Sequence, residues 1–210
     1  MSESELDVRG MPKPAKHPAI FAAFAELACG DAFVLINDHD PRPLRGEFEI
    51  EYGDGFGWEY LRREPKDWRI RISKLTVDRL PRVLVDLTAV GGSAFGTDAG
   101  PAGTDDPSGV LWKLQMRERD LDSNVVALPP GGAIDRHHGP DLDVLLQVLA
   151  GSGELQTERD TIALRPGQLL WLPRRSQRAF RAGDEGLRYL TVHQRRQSLI
   201  LEPPPPRQGS

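Results

Sequence analysis

Cysteine is almost missing from this 210-residue chain. With Cys29 alone no intrachain disulfide can form, so packing and hydrogen bonds must hold the fold, as suits a reducing compartment. Long apolar runs are missing too. No stretch approaches the roughly 18 residues needed to span a bilayer, and the acidic residues 1–10 lack the apolar core of a secretion signal. There is no excess of positive charge: 27 Lys and Arg against 31 Asp and Glu give a formal net charge of -4. That balance lacks the basic footprint of a non-specific nucleic-acid binder. These absences lead us to expect a soluble, cytoplasmic protein with neither a membrane nor a nucleic-acid partner. What is present, 39% hydrophobic and 28% charged residues, is the composition of an ordinary globular protein of one large or two small domains.

The first third reads strand, helix, strand, helix, strand, strand. Residues 6–9 form a short strand candidate, after which Pro12 and Pro14 interrupt regular structure. His17-Pro18 opens a helix, since proline is tolerated at the first helical position. Ile20, Phe21, Phe24, Ala25 and Leu27 then recur at helical spacing, and Gly30, just after Cys29, stops it. Residues 32–36 are a compact apolar strand, residues 37–41 a polar turn, and residues 43–51 a second helix ended by Gly53-Asp54-Gly55. Trp58 and Tyr60, then Trp68, Ile70 and Ile72, alternate with charged residues on either side of a turn, which is a hairpin signature. The order predicts an α+β two-layer sandwich with both helices on one sheet face, spanning residues 1–76.

The rest reads as all-β. Residues 83–90 form a strand candidate. Residues 91–109 are rich in Gly, Ala, Pro, Thr, Ser and Asp with almost nothing to bury, and read as a disordered loop. Short apolar segments divided by turns follow at 110–116, 124–128, 143–149, 153–156, 161–164, 168–172, 177–181 and 188–193. Strands at that spacing predict an antiparallel sandwich or barrel, which we assign to residues 77–200. The four consecutive prolines within residues 201–210 read as a polyproline-like, disordered tail.

The stretch from Pro129-Pro130-Gly131-Gly132 to Gly151-Ser152-Gly153 resembles the first motif of the cupin superfamily. Arg165-Pro166-Gly167 through Trp171-Leu172-Pro173 resembles the start of the second. The resemblance implies a double-stranded β-helix, or jelly-roll, barrel that pairs with a second copy through its sheets. It also implies where metal ligands would stand. His137 matches the first ligand position, but Gly139, Val144 and Arg178 occupy the other three, and Arg175 stands where the second motif has glycine. His138 and Asp143 each lie one residue off register, which on a strand turns the side chain to the opposite face; a bulge can bring one back. If Val144 faces inward, so do Leu146 and Val148, giving an apolar wall and a filled barrel with His137 as an interior or rim histidine. No cofactor is then expected. Arg178 and Arg175, with Arg174, Arg181 and Arg188 nearby, suit a small anionic ligand such as a carboxylate or phosphate. The alternative is a metal-dependent oxygenase or isomerase holding Fe, Zn, Mn or Ni through His137, His138, Asp143 and His193.

The segment Leu6-Asp7-Val8-Arg9-Gly10-Met11-Pro12-Lys13-Pro14 resembles the opening motif of the small TusA-type sulfur carriers. It is more similar still to their uncharacterised relative, the domain of unknown function 2249 family, with His17-Pro18, Asn37-Asp38-His39-Asp40-Pro41, Trp58-Glu59-Tyr60 and Trp68-Arg69-Ile70 as further signatures. Sulfur carriers need a cysteine directly before a proline at the helix start, where its pKa falls. This chain has Lys13 there. Cys29 lies at the other helix end, where the dipole opposes thiolate formation, and reads as a small buried hydrophobe. Persulfide transfer is therefore not expected. His17 and His39, with Asp38 and Asp40, stand near the end of a strand, where α/β proteins place ligands. They form a candidate site for a metal, heme or an anion. The plain alternative is that they cap the helix and tie down the turn. The resemblance implies a bacterial redox or nitric-oxide context by association. Taken together, the chain reads as a non-enzymatic small-molecule-binding or regulatory protein.

Overall fold

The computed structural model describes residues 4–90 and 109–195. The loop expected at 91–109 falls, except for Gly109, outside the described residues, as does the tail expected at 201–210. The chain forms two compact units. One comprises Met1–Leu84 with Gln115–Glu118, the other Val85–Leu114 with Arg119–Ser210. No described helix is long and apolar enough to cross a membrane.

The first unit contains β1 (Ser4–Asp7), α1 (Lys13–Ala25), β2 (Ala32–Asn37), α2 (Arg42–Tyr52), β3 (Phe56–Glu64) and β4 (Asp67–Lys74). Its sheet runs β1-β2-β4-β3, with β1 parallel to β2 and the other pairs antiparallel. Period-two alternation puts Phe33 and Leu35 of β2 beside Ile70 and Ile72 of β4 on one face. There they meet Ile20 and Phe24 of α1 and Leu44 and Phe48 of α2 in a single core. None of these eight exceeds 2% exposure. Fully burying one such side chain contributes about 1.5–3 kcal/mol, so this face decides the fold of the unit.

Two expectations fail locally. Helix α1 starts at Lys13, with Pro12 as its N-cap and Pro14 in its first turn, so these prolines begin the helix and do not interrupt it. First-turn amides have no intrahelical acceptor, and a proline there forfeits nothing. His17 consequently sits inside α1 and not at its end. Residues 83–90 form no strand. Asp86 Oδ1 accepts from the Thr88 amide (2.9 Å) and hydroxyl (2.6 Å), and the Asp86 carbonyl accepts from the amides of Ala89 and Val90. This Asx-type turn coils the chain where apolar composition alone suggested extension.

Among the described residues the second unit is all-β: β5 (Gly109–Lys113), β6 (Leu121–Leu128), β7 (Ala133–His138), β8 (Val144–Gln156), β9 (Thr161–Leu164), β10 (Leu169–Leu172) and β11 (Gln177–Gln194). The strands run β10-β8-β11-β6-β5, with β7 paired to β11 and β9 to β8. Strands expected to be separate at 143–149 and 153–156 are one long β8, and those at 177–181 and 188–193 are one long β11. Both bend and change partners midway. The bend needs glycine. Gly151 has φ 74°, and a Cβ on it would stand 2.1 Å from the Gly186 carbonyl oxygen. Inside, Val144, Leu146 and Val148 form the expected apolar wall, packed with Leu155, Leu164, Leu172, Phe180 and Tyr189.

Candidate functional site

Arg178 of β11 stands directly opposite His137 of β7. Opposed residues of an antiparallel pair share a face, so the ladder brings these two predicted site residues together. Arg178 is only 5% exposed. Its Nε donates to the Ser176 carbonyl (3.3 Å), and Nη2 donates to the Pro173 carbonyl and the Ser176 hydroxyl (both 3.1 Å). No carboxylate pairs with it among the described residues. Burial pushes its pKa below the ordinary arginine value, with no opposing cause, yet a guanidinium stays charged in protein surroundings.

Gly139 explains why this arginine fits. A Cβ at Gly139 would lie 1.8 Å from Arg178 Nη2. The two residues standing at motif ligand positions are thus complementary, one clearing the space that the other fills. Val144, at a third ligand position, is buried in the apolar core. Only His137 could ligate, and it is exposed, its Nδ1–H donating to the Asp135 carbonyl at 2.8 Å. The residues present do not fit the metal set that the fold implies.

Neither does the alternative set assemble. The β7–β11 ladder carries a register shift between Arg178 and Phe180, but His138 stays exposed. Asp143 accepts the Arg174 amide at 2.9 Å. Asp143 and His193 do share a cleft of about 440 Å³ with Asp141, Leu142 and Arg174. No group of three His, Cys, Asp or Glu side chains able to hold a metal ion occurs among the described residues.

Arg175 keeps the backbone of the glycine it replaces, at φ 56°. Its amide donates to the Pro140 carbonyl (2.9 Å) and its Nη2 to Asp141 Oδ2 (2.7 Å). With the Gly139 amide on the Ser176 carbonyl (3.0 Å), these bonds zip residues 139–143 onto residues 173–176. Arg175 itself points to solvent, whereas Arg178, opposite His137 in the ladder, is buried with its guanidinium against Gly139, Pro173 and Ser176.

In the first unit the two candidate histidines have separate partners. His17 Nδ1 lies 2.8 Å from Glu47 Oε1, and His39 Nδ1 lies 2.6 Å from Asp38 Oδ1. The His39 bond, then that of Lys16 at 3.4 Å, lowers the Asp38 pKa. Asp40 faces elsewhere, accepting from the Tyr60 hydroxyl (2.9 Å) and Arg42 Nε (2.8 Å). Cys29 is exposed, not buried, because it follows the last turn of α1; its thiol donates to the Leu75 carbonyl at 3.4 Å. The sequence reading missed Gly139 as the partner of Arg178. The available signal was a residue without a side chain at one ligand position and a long one at another.

Residues 5–74 match the family described as uncharacterized conserved protein, DUF2249. Residues 130–200 match the AraC-like ligand binding domain. Each match covers about a third of the chain, and together they take in β1–β4 and most of the cupin strands. No curated protein matches. Among solved structures, a conserved protein of unknown function from Streptococcus pyogenes is 27% identical, with 41% of this chain and 73% of that one covered, at TM-score 0.35. A cupin 2 conserved barrel domain protein from Rhodopseudomonas palustris is 16% identical over 42% and 60%, at 0.38. The DMSP lyase DddQ from Ruegeria pomeroyi is 26% identical over 40% and 41%, at 0.34.

Proposed function

We propose that the cupin unit is a non-enzymatic receptor for a small anion, which Arg178 binds beside His137. The observation that carries this reading is a guanidinium 5% exposed with no carboxylate partner among the described residues. Removing a charge from water without a counter-charge is costly. A carboxylate or phosphate supplies the missing charge, and its hydrogen bonds to a guanidinium are charge-assisted and can be bidentate. Nη1 makes no hydrogen bond among the described residues and is the free donor. Neutral carbonyl and hydroxyl acceptors hold the rest of the group without cancelling its charge. The apolar core of β8, β10 and β11 leaves the barrel interior to side chains. The match of residues 130–200 to a ligand binding domain agrees with a receptor.

Calorimetric titration of the full chain with phosphate, acetate and benzoate tests this. Saturable binding of at least one anion is expected, weakened at least about tenfold, or about 1.4 kcal/mol, in Arg178→Gln and partly kept in Arg178→Lys. Wild-type protein that binds none of them, or an Arg178→Gln variant that binds equally well, contradicts the reading. So does about one transition-metal ion per purified chain that is lost in His137→Ala.

A further inference from the structure

We propose that the first unit carries a second, independent site, for a flat unsaturated ring bearing a carboxylate or phosphate, in the cleft between α2 and the β3–β4 hairpin. The cleft encloses about 440 Å³, within the usual range for small-molecule sites. Arg42, Arg45 and Gly46 of α2 form one side, and Tyr60, Arg63 and Trp68 the other.

Charge selects an anion. Two carboxylates also line the cleft, and each is already engaged: Arg42 Nε donates to Asp40 (2.8 Å) and Arg45 Nε to Glu49 (3.0 Å). Arg63 makes no salt bridge among the described residues; it acts on Asp40 only at longer range and lies over the Tyr60 ring, 4.3 Å from its centroid. Three guanidiniums against two carboxylates leave one positive charge for a ligand. Burial raises the Asp40 pKa, but its bonds to Arg42 and Tyr60 outweigh that and lower it, so the pairing persists at neutral pH.

Shape selects a ring. Tyr60 and Trp68 meet edge to face, centroids 6.1 Å apart at 72°. The bond from the Tyr60 hydroxyl to Asp40 (2.9 Å) fixes the first ring. Arg63 already covers a face of Tyr60, so an incoming flat group can stack on Trp68 while its anion reaches Arg63.

Gly46 is the independent observation. It sits inside α2, where glycine lowers stability relative to alanine. Its φ is not in the left-handed region, and a Cβ built on it would meet nothing within 4 Å. Neither the backbone nor packing requires glycine here. What the missing side chain does is keep the cleft open between Arg42 and the aromatic wall.

The test uses the full chain and the indole N–H resonance of Trp68, assigned by its loss in Trp68→Phe. Titrants are phenyl phosphate, benzoate, inorganic phosphate and benzyl alcohol. Phenyl phosphate or benzoate is expected to shift the resonance saturably. Inorganic phosphate and benzyl alcohol, each lacking one feature, should act at least about tenfold more weakly. Arg63→Ala, an exposed change, should weaken ring-anion binding about tenfold. Gly46→Leu should abolish it while the melting temperature holds or rises. Arg178→Gln should leave the Trp68 response unchanged, which keeps failure here distinct from failure at the cupin site. No saturable shift with either ring anion, equal binding of benzyl alcohol, or full binding by Arg63→Ala overturns the proposal.

Discussion

At Arg175 the fold asks for one conformation and the side chain prefers another. A non-glycine residue at φ 56° carries a cost of about 1–2 kcal/mol. In return Arg175 offers only an ion pair with Asp141 whose side chains are 71% and 52% exposed, and such pairs contribute little. Arg175→Gly is therefore expected to raise stability by about 1 kcal/mol in urea unfolding; a loss of stability would mean the Asp141 pair matters more than its exposure implies. Arg178, three residues on, is the opposite case. Its φ is not in the left-handed region, though a register shift follows it in the ladder, and its side chain is held by three acceptors that leave its charge uncancelled. One arginine is tolerated at a former glycine position, and the other is built into the interior by a glycine across from it.

Strand β10 pairs only with β8 among the described residues, so it forms an edge. Leu170 and Leu172 turn inward, which turns Leu169 and Trp171 outward at 66% and 62% exposure. Trp171 sits opposite Leu145 of β8, itself 45% exposed, and Leu145 sits opposite Val192 of β11. An apolar strip beside an open edge invites pairing, and we expect it to be covered by a second copy of this chain. Light scattering should give twice the chain mass for the wild type and a single chain mass for Trp171→Lys. A monomeric wild type at micromolar concentration would falsify this expectation.

The large shifts lie at opposite ends of the pH scale, Asp7 in the first unit and Tyr189 in the second, although burial also raises Tyr52 of the first and bonds from Thr88 lower Asp86 of the second. In the first unit Asp7 is held at about 2, chiefly by hydrogen bonds from Arg9, and Asp67 is lowered chiefly by Arg62. A depressed carboxylate contributes stability that is present above its unfolded value and lost as pH falls through the folded one. That window is about pH 4 to 2 for Asp7, and the effect is small because these groups are solvent-exposed. In the cupin unit burial raises Tyr189 to about 12, its ring stacked on Phe180 at 5.5 Å. A raised tyrosine contributes stability that is complete below about 10 and lost as pH rises through 12, on the order of 2 kcal/mol in all. Amide exchange should show the cupin strands weakening first in alkali, and Tyr189→Phe should flatten that dependence. An unchanged alkaline slope in the variant would remove Tyr189 as the cause.

Periodicity alone determined the element order of the first unit and most strands of the second, because burial on one face imposes a period on the sequence that composition cannot hide. The resemblance to the cupin motifs marked Gly131, Gly151 and Gly167, and each has a physical reason: Gly131 and Gly167 turn the chain at φ 69° and 87°, and the β8–β11 crossing leaves no room for a side chain at Gly151. Three things were decided only in three dimensions. Pro12 and Pro14 open α1, because a proline's effect depends on whether its missing amide had an acceptor. Residues 83–90 turn, because Asp86 supplies local hydrogen bonds that compete with a strand. The pairing of Gly139 with Arg178 joins residues far apart in sequence, and a hole shows as a hole only when the side chain that fills it is in place. The cleft beside Gly46 is of the same kind: helix α2 and the hairpin each have a pattern of their own, but the space between them belongs to neither.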